Sequence, residues 1–109
     1  MKPVVWLGDC LTRLRGFPVE AMHDLGYQLE RVQDGDEPKD WKPMPSIGVG
    51  VSELRVQAGG AFRLIYLARL AEAVYVLHVF QKKSRKTAKS DIELARRRLR
   101  ALLAERRQT

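Results

Sequence analysis

Apolar positions recur along the chain in a pattern that predicts a strand, two helices, three further strands and a last helix. Residues 3–7 form a short apolar, β-prone run, which predicts an N-terminal strand. A first helix is expected around Thr12 to Arg15. Pro18 is suited to the first turn of a second helix, which should end near Asp34 and Gly35 and whose apolar stripe is Met22, Leu25, Leu29 and Val32.

Residues 34–48 carry three prolines and two glycines, which predicts a loop without regular structure. Trp41, Met44 and Ile47 are the side chains through which this loop can pack onto the core. The alternative is an interdomain linker. The segments on either side are each too small to fold alone, so we expect a packed loop.

Residues 51–57, 61–67 and 73–81 are β-like, and their short connections predict an antiparallel meander. A final helix follows, for which Thr87 or Ser90 is the expected cap, and Ser90 with Glu93 matches a capping box. Its expected core stripe is Ala88, Ile92, Ala95, Leu99 and Leu102. The pattern therefore predicts an α+β fold of one domain, residues 1–109, with a small antiparallel sheet, two N-terminal helices and a C-terminal helix.

Charge divides the chain into two unlike halves. Residues 1–54 hold 6 Lys and Arg against 9 Asp and Glu, a net charge of −3, whereas residues 55–109 hold 14 against 4, a net charge of +10. This asymmetry indicates a polyanion-binding face in the second half, the alternative being an ordinary solvated surface.

Several classes of protein are excluded by what the chain lacks. No apolar run approaches the roughly 18 to 20 residues that cross a bilayer, and the first ten residues do not form the apolar core of a secretory signal. We therefore expect a cytoplasmic protein without membrane contact. Cys10 stands alone, and with His23 and His78 it shows no metal-ligand spacing, so an inert thiol and no metal or cofactor are expected.

Two arginines lie within predicted strands, where burial without a partner is costly. Because a hairpin joins their strands, Arg55 and Arg63 can lie side by side, an arrangement suited to binding phosphate. The alternative is two separately solvated arginines. Strict alternation in the third strand places His78 on one face with Val76, Phe80 and Lys82.

The remaining candidates follow on the meander. Lys82, Lys83, Arg85 and Lys86 stand at the end of the third strand, where they can bind RNA or simply be solvated. His78 can act as a general acid or base, and Tyr66 can do so or stack on a base, although both residue types are often structural within strands. Cations with one such group suit metal-independent cleavage of RNA through its own 2′-hydroxyl.

Four segments of the chain form a combination typical of one family: Glu53-Leu-Arg55, Phe62-Arg-Leu-Ile-Tyr66, the run from Val76 to Thr87, and Asp91 to Arg96. Through them the chain resembles the HigB-like, phage-derived toxins of the RelE/ParE superfamily. It implies a RelE-like fold and a toxin of a type II toxin-antitoxin system that cleaves mRNA on the ribosome. It also implies neutralisation by a cognate antitoxin, often a helix-turn-helix protein such as a HigA-like one.

Carried over by position, the resemblance implies that Arg55, Arg63 and the Lys82–Lys86 run bind RNA phosphates, with His78 or Tyr66 as the acid/base group. Two other functions stay open. One is a ParE-like inhibitor that binds DNA gyrase and has no nuclease activity. The other is a non-toxic basic nucleic-acid-binding module, whose affinity should fall steeply with salt.

Overall fold

A computed structural model describes residues 1–108 of the chain. It contains three helices and five strands, in the order β1 (Val4–Trp6), α1 (Cys10–Arg15), α2 (Val19–Gln33), β2 (Trp41–Pro43), β3 (Val51–Gln57), β4 (Ala61–Leu67), β5 (Val74–Lys82) and α3 (Lys89–Gln108). The α+β class is confirmed. Within residues 1–108, every helix is too short or too polar to span a bilayer.

The strands form one sheet in the order β1-β5-β4-β3-β2. The β3-β4-β5 meander is antiparallel, as the sequence predicts. The N-terminal strand differs from the expected antiparallel arrangement, because β1 runs parallel to β5 with Val4 beside Val74. Such a parallel pair needs a long crossover connection, and the chain between β1 and β5 includes both α1 and α2.

Helices cover both faces of this sheet. On one face α1 and α2 pack against the strands through a core that includes Leu25, Leu54, Phe62, Leu64 and Val76. On the other face α3 packs through a second core that includes Ile65, Leu67, Leu77, Ala95 and Leu99. Side chains that alternate along a strand therefore enter different cores.

The prediction of an irregular loop over residues 34–48 is wrong at one place, because Trp41–Pro43 form β2 at the sheet edge. All three residues are exposed, so the strand leaves no alternation in the sequence. Proline is tolerated on an edge strand, where it need not donate to a neighbour. The predicted packing of the loop is confirmed for Met44 and Ile47, which are buried, whereas Trp41 is 36% exposed.

The prediction that Val76 shares a face of β5 with His78 and Phe80 is wrong, although His78 and Phe80 do lie on one face. Val74, Val76 and Val79 contribute to the α2-side core, whereas Tyr75, Leu77 and Phe80 contribute to the α3-side core. The strand register shifts by one residue between Ile65 and Tyr66, so Ile65 pairs with His78 and Tyr66 with Val76. This irregularity breaks the strict alternation and leaves Val76 and Phe80 on opposite faces.

The start of α3 also corrects the sequence analysis. The helix begins at Lys89, so Ser90 lies inside its first turn and neither Ser90 nor Thr87 occupies the capping position. The carbonyl of Ala88 accepts the first helical hydrogen bonds, from the amides of Asp91 and Ile92. Of the predicted core stripe, Ala95, Leu99 and Leu102 are buried, Ile92 is half-buried and Ala88 is exposed.

Candidate nucleic-acid interface

Arg55 and Arg63 are direct cross-strand neighbours in the β3-β4 hairpin. Both lie on the α3 side of the sheet, because Leu54, Phe62 and Leu64 beside them point into the α2-side core. Arg63 is only 7% exposed and Arg55 is half-buried. The hairpin therefore brings the two arginines together, as the sequence predicts.

Glu53 is a third charged residue beside the two arginines. It is not among the site residues predicted from the sequence. Its side chain is 1% exposed, and its Oε1 lies 3.6 Å from Nε of Arg63. The signal that was available is position, since Glu53 and Arg55 are two residues apart on one strand and share a face. Lys42 of β2 stands directly opposite Glu53, which adds a further cation.

Several polar atoms of this cluster are buried without a hydrogen-bond partner among residues 1–108. They are Oε2 of Glu53, Nε of Arg55 and Nε of Arg63. The guanidinium of Arg63 makes one hydrogen bond, from Nη1 to the carbonyl oxygen of Phe62 at 3.1 Å. Buried polar groups are ordinarily paired, so three unsatisfied atoms in one cluster are unusual for a folded protein.

The electrostatics of the cluster are dominated by burial. Burial raises the pKa of Glu53, against the effect of the four surrounding cations Arg63, Lys42, Arg55 and Lys82. Burial lowers the pKa of Arg63, which Glu53 partly offsets. The pKa of Lys82 is lowered by desolvation and then by the charge of Arg63. Four cations therefore face one carboxylate, an arrangement that favours an additional anion.

We call the cleft beside this cluster the basic groove; it has a volume of about 470 Å³. Its cationic side chains are Lys42, Lys82, Arg85 and Lys86, and residues 43–46 and Ile92 complete the walls. The turn that carries Arg85 and Lys86 is stabilised by Ser84, whose hydroxyl donates to the carbonyl of Lys86 at 2.7 Å. Among the predicted RNA-binding residues, Lys82, Arg85 and Lys86 line the groove. Lys83 is exposed and does not line it.

His78 lies on the α3 side of the sheet with the cluster, but it is 1% exposed. Its Nε2 lies 2.7 Å from Oδ1 of Asp91, and its ring stacks on Phe80 with centroids 5.1 Å apart. Phe80 is the cross-strand partner of Arg63, so one ring separates His78 from the arginine pair. Burial lowers the pKa of His78 despite the carboxylate of Asp91, and Nδ1 is buried without a partner in the described chain.

Tyr66 does not join this site. It is 5% exposed and belongs to the α2-side core, on the opposite face of the sheet from Arg63. Burial raises the pKa of its hydroxyl, and the Ser52 hydroxyl partly offsets the shift. Of the four predicted catalytic residues, the structure thus brings together Arg55 and Arg63, places His78 behind Phe80, and separates Tyr66.

The thiol of Cys10 is free, and its position agrees with the expectation of an inert group. Cys10 is fully buried, and burial raises the pKa of the thiol to about 11. A thiol that stays protonated is a poor nucleophile. Across residues 1–108, no three His, Cys, Asp or Glu side chains are grouped so that they can hold a metal ion.

The fold and this site define a class: a small α+β protein whose sheet carries a partly buried cluster of cations around one carboxylate. Comparison with known protein families identifies the family within this class. The sequence model of the phage-derived Gp49-like protein family (DUF891) matches residues 12–100, and the chain belongs to that family. It is a family of RelE-like, toxin-like proteins, which in general implies an antitoxin partner. No curated protein matches the chain significantly.

Proposed function

We propose that this protein is the HigB-like toxin of a type II toxin-antitoxin system and a metal-independent, ribosome-dependent mRNA endonuclease. In this proposal it acts in the cytoplasm as a single-domain protein over residues 1–109, and a cognate helix-turn-helix antitoxin neutralises it. Its membership of a toxin-like family supports the general class. The cationic cluster of the sheet supports the cleavage of RNA.

The observation that carries the proposal is the Arg55-Arg63 pair with its unsatisfied donors. Two adjacent arginines repel each other, and here both bury an Nε without a partner. A phosphate offers several acceptor oxygens and a negative charge, and it therefore relieves both costs. Lys82, Arg85 and Lys86 extend the same positive charge along the basic groove, where the neighbouring phosphates of a single strand can bind.

The reaction we propose uses the 2′-hydroxyl of the substrate as the nucleophile. Its oxygen forms a bond to the adjacent phosphorus while the bond from phosphorus to the 5′-oxygen breaks, which leaves a 2′,3′-cyclic phosphate and a 5′-hydroxyl. Arg55 and Arg63 stabilise the negative charge that builds on the phosphate oxygens. Lys82, whose pKa is lowered, donates the proton that the leaving 5′-oxygen requires.

His78 is the proposed acceptor of the proton from the 2′-hydroxyl. Asp91 binds its Nε2, which orients the ring and leaves Nδ1 as the free acceptor. The lowered pKa keeps the imidazole neutral at pH 7, as a base requires. Because the ring is 1% exposed, this role requires that bound RNA displace the side chains that cover it.

The test is cell-free translation of a defined mRNA with purified protein, with transcript ends mapped by primer extension. We expect cuts only when ribosomes are present, and we expect Arg63→Ala to abolish them. Arg15→Ala, which removes one exposed cation from α1, is the matched control and should cut like the wild type. Intact mRNA with undiminished translation would overturn the nuclease.

The burial of both acid/base candidates favours a second candidate function, which is binding without cleavage. His78 is 1% exposed and Tyr66 is 5% exposed on the other face, so the exposed part of the cluster holds cations but no neutral base. A ParE-like inhibitor of DNA gyrase needs no such base. Loss of gyrase supercoiling activity at protein concentrations that leave mRNA intact would establish this alternative.

A further inference from the structure

Helix α3 carries a cluster of arginines on the side that faces away from the sheet, and the proposed nuclease does not use them. We call this cluster the arginine ridge; it consists of Arg96, Arg97 and Arg100. With Glu93 these residues line a depression of about 260 Å³. Arg97 and Arg100 are exposed and Arg96 is half-buried, so the ridge is open to a ligand.

The positive charge of the ridge is not neutralised by the protein. Neither Arg97 nor Arg100 forms an ion pair or a side-chain hydrogen bond within residues 1–108. Glu93 is the carboxylate beside them, and the ammonium group of Lys89 lies 3.8 Å from its Oε1. Lys89 and Glu93 therefore balance each other, and the charge of the three arginines remains.

Structural roles account for other arginines of α3 but not for the ridge. Arg98 pairs with Asp9 and Arg106 pairs with Glu72, each at 2.7 Å, so both connect the helix to other parts of the fold. The ridge lies near the middle of this 20-residue helix, too far from its C-terminus to interact with the helix dipole. Like charges three and four residues apart repel each other and destabilise a helix, and a bound anion relieves that repulsion.

The residue types of α3 favour a phosphate backbone as that anion. The centre of a protein interface is usually rich in large apolar side chains, and within Lys89–Gln108 no such side chain is exposed. The helix also has no aromatic residue on which the bases of a single strand can stack. A base-paired stem hides its bases and presents its phosphates outward, and arginine is well suited to bind them.

The ridge continues directly from the basic groove. Nε of Arg96 donates to the carbonyl oxygen of Ser46 at 2.7 Å, and Ser46 lines the basic groove. Ile92 lines that groove as well, about one helical turn before Arg96. At a rise of about 1.5 Å per residue, Arg100 lies only about 12 Å beyond Ile92 along the axis of α3. A single RNA chain is therefore long enough to occupy both surfaces.

We propose that the arginine ridge binds the phosphate backbone of a base-paired RNA stem while the adjoining single strand occupies the basic groove. The favoured substrate is then an RNA in which an unpaired segment directly adjoins a stem. This inference rests on the proposed function, which assigns the basic groove to RNA. It adds a second binding surface and a preference for structured RNA.

The test is fluorescence anisotropy of the full-length chain with labelled RNAs in the absence of ribosomes, with 2′-O-methyl groups in the unpaired segment to prevent cleavage. One RNA joins a hairpin to an unpaired segment, and a second RNA of equal length is unpaired throughout. We expect the RNA with the hairpin to bind about tenfold more tightly. Arg97→Gln/Arg100→Gln should remove this gain and lower the slope of log affinity against log salt by about 1.4 to 1.8, the contribution of two phosphate contacts.

Two controls accompany this variant. Its affinity for the unpaired RNA should stay close to that of the wild type, which shows that the variant is folded. Arg15→Gln/Arg69→Gln removes the same charge from exposed positions outside α3 and should keep the gain from the hairpin. An equal loss of the gain in both double variants would mean that RNA responds to net charge, and it would overturn the proposal.

Other results would also overturn the proposal, and each has a different meaning. Equal binding of the two RNAs by the wild type would mean that the ridge does not select a stem. An equal gain from a DNA hairpin on the same unpaired segment would mean that any duplex is bound, and competition by polyglutamate as strong as by the RNA hairpin would identify an acidic protein segment. Failure of the proposed function is seen separately, because the wild type would then leave mRNA uncut on ribosomes, whereas failure of this inference changes only the response to the hairpin.

Discussion

The two faces of the sheet are built from alternate residues of the same strands, and they differ in how completely they are satisfied. On the α2 side, Leu54, Phe62 and Leu64 are at most 2% exposed and pack into a continuous apolar core. On the α3 side, Glu53 and Arg63 on the same two strands are almost equally buried, yet they carry charge. In this part of β3 and β4 burial is therefore similar on the two faces, whereas the α2-side residues are apolar and Glu53 and Arg63 are charged.

The comparison separates residues that stabilise the fold from residues that the fold tolerates. Apolar burial is favourable by about 25 cal/mol per Å², so the apolar side chains buried on the α2 side stabilise the fold. A buried ion pair with unsatisfied atoms is at best neutral for stability, because desolvation offsets the attraction. The charge at this position is the charge to which the proposed function assigns the binding of RNA.

The largest expected effect comes from the apolar face. Phe62 is 2% exposed and packs on Phe17 with ring centroids 4.8 Å apart. Phe62→Ala should lower the free energy of unfolding by about 3–5 kcal/mol, through lost burial and the cavity left behind. Urea denaturation followed by circular dichroism measures it, and a loss below about 1 kcal/mol would show that this face is loosely packed.

Substitution of the charged pair on the α3 side should not lower the free energy of unfolding. Replacing the buried pair with apolar residues, in Glu53→Leu/Arg63→Met, should leave the free energy of unfolding unchanged or raise it by about 1–4 kcal/mol. The proposed mRNA cleavage should fall about 100- to 1,000-fold in the same variant, because the variant lacks the charge to which the proposal assigns transition-state stabilisation. Denaturation and primer extension on one preparation measure both effects.

The control for the charged face is Arg69→Met, which removes an exposed arginine whose Nε donates to the carbonyl oxygen of Val49. It should keep both stability and cleavage close to those of the wild type. A double variant of Glu53 and Arg63 that is clearly destabilised would contradict the distinction between the faces. The ion pair would then be a structural element, and the site would have to be sought elsewhere.

The arginine pair could be predicted because its signals are local. Gly59 and Gly60 mark the hairpin between two runs of β-formers, and the predicted strands 51–57 and 61–67 coincide with β3 and β4. Gly59 adopts a φ of +71°, a conformation that few other residues accept. Once the hairpin is fixed, its register places Arg55 beside Arg63.

The positions of His78 and Glu53 depend on features that the sequence pattern does not contain. The register shift in β5 adds one residue to the strand, and simple alternation then places Val76 wrongly on the face of His78 and Phe80. The hydrogen bond between His78 and Asp91 depends on where α3 begins. The capping position of α3 is occupied by an alanine, so no polar residue marks the start of the helix in the sequence. Besides the nearby Arg55, three of the cations around Glu53 lie on β2, β4 and β5, which are distant from it in sequence.

The pH dependence of stability tests whether burial controls the protonation of His78 on the α3 side. Burial lowers the folded-state pKa of His78 below its ordinary 6.5, so the unfolded chain binds the proton more readily. Stability should therefore fall as pH decreases below 6.5, and His78→Gln should fall less because its amide can still donate to Asp91. Thermal unfolding between pH 7.5 and pH 5.5 measures this. Asp9 and Glu72, whose pKa values are lowered from 3.8 and 4.5 to about 2, reduce stability only at lower pH, where the unfolded carboxyl groups begin to bind protons.

The matched control for this titration is His23→Gln, since His23 is exposed on α2. It should follow the wild type throughout. Glu53 acts with the opposite sign, because its raised pKa makes protonation stabilising as pH falls. The difference between the wild type and His78→Gln isolates the histidine, and parallel curves for the two would show that burial does not control its protonation.

The smallest expected effect concerns the rim of the basic groove. Lys86 is exposed and lines that groove, so it should contact one phosphate of bound single-stranded RNA. Lys86→Ala should weaken binding similarly for all sequences and reduce the slope of log affinity against log salt by about 0.7, the contribution of one phosphate contact. Fluorescence anisotropy with a labelled oligonucleotide at several salt concentrations measures the slope. Arg15→Ala removes the same charge from the exposed surface of α1 and should leave the slope unchanged; an equal reduction in both variants would mean that RNA responds to net charge and that the basic groove is not a defined binding surface.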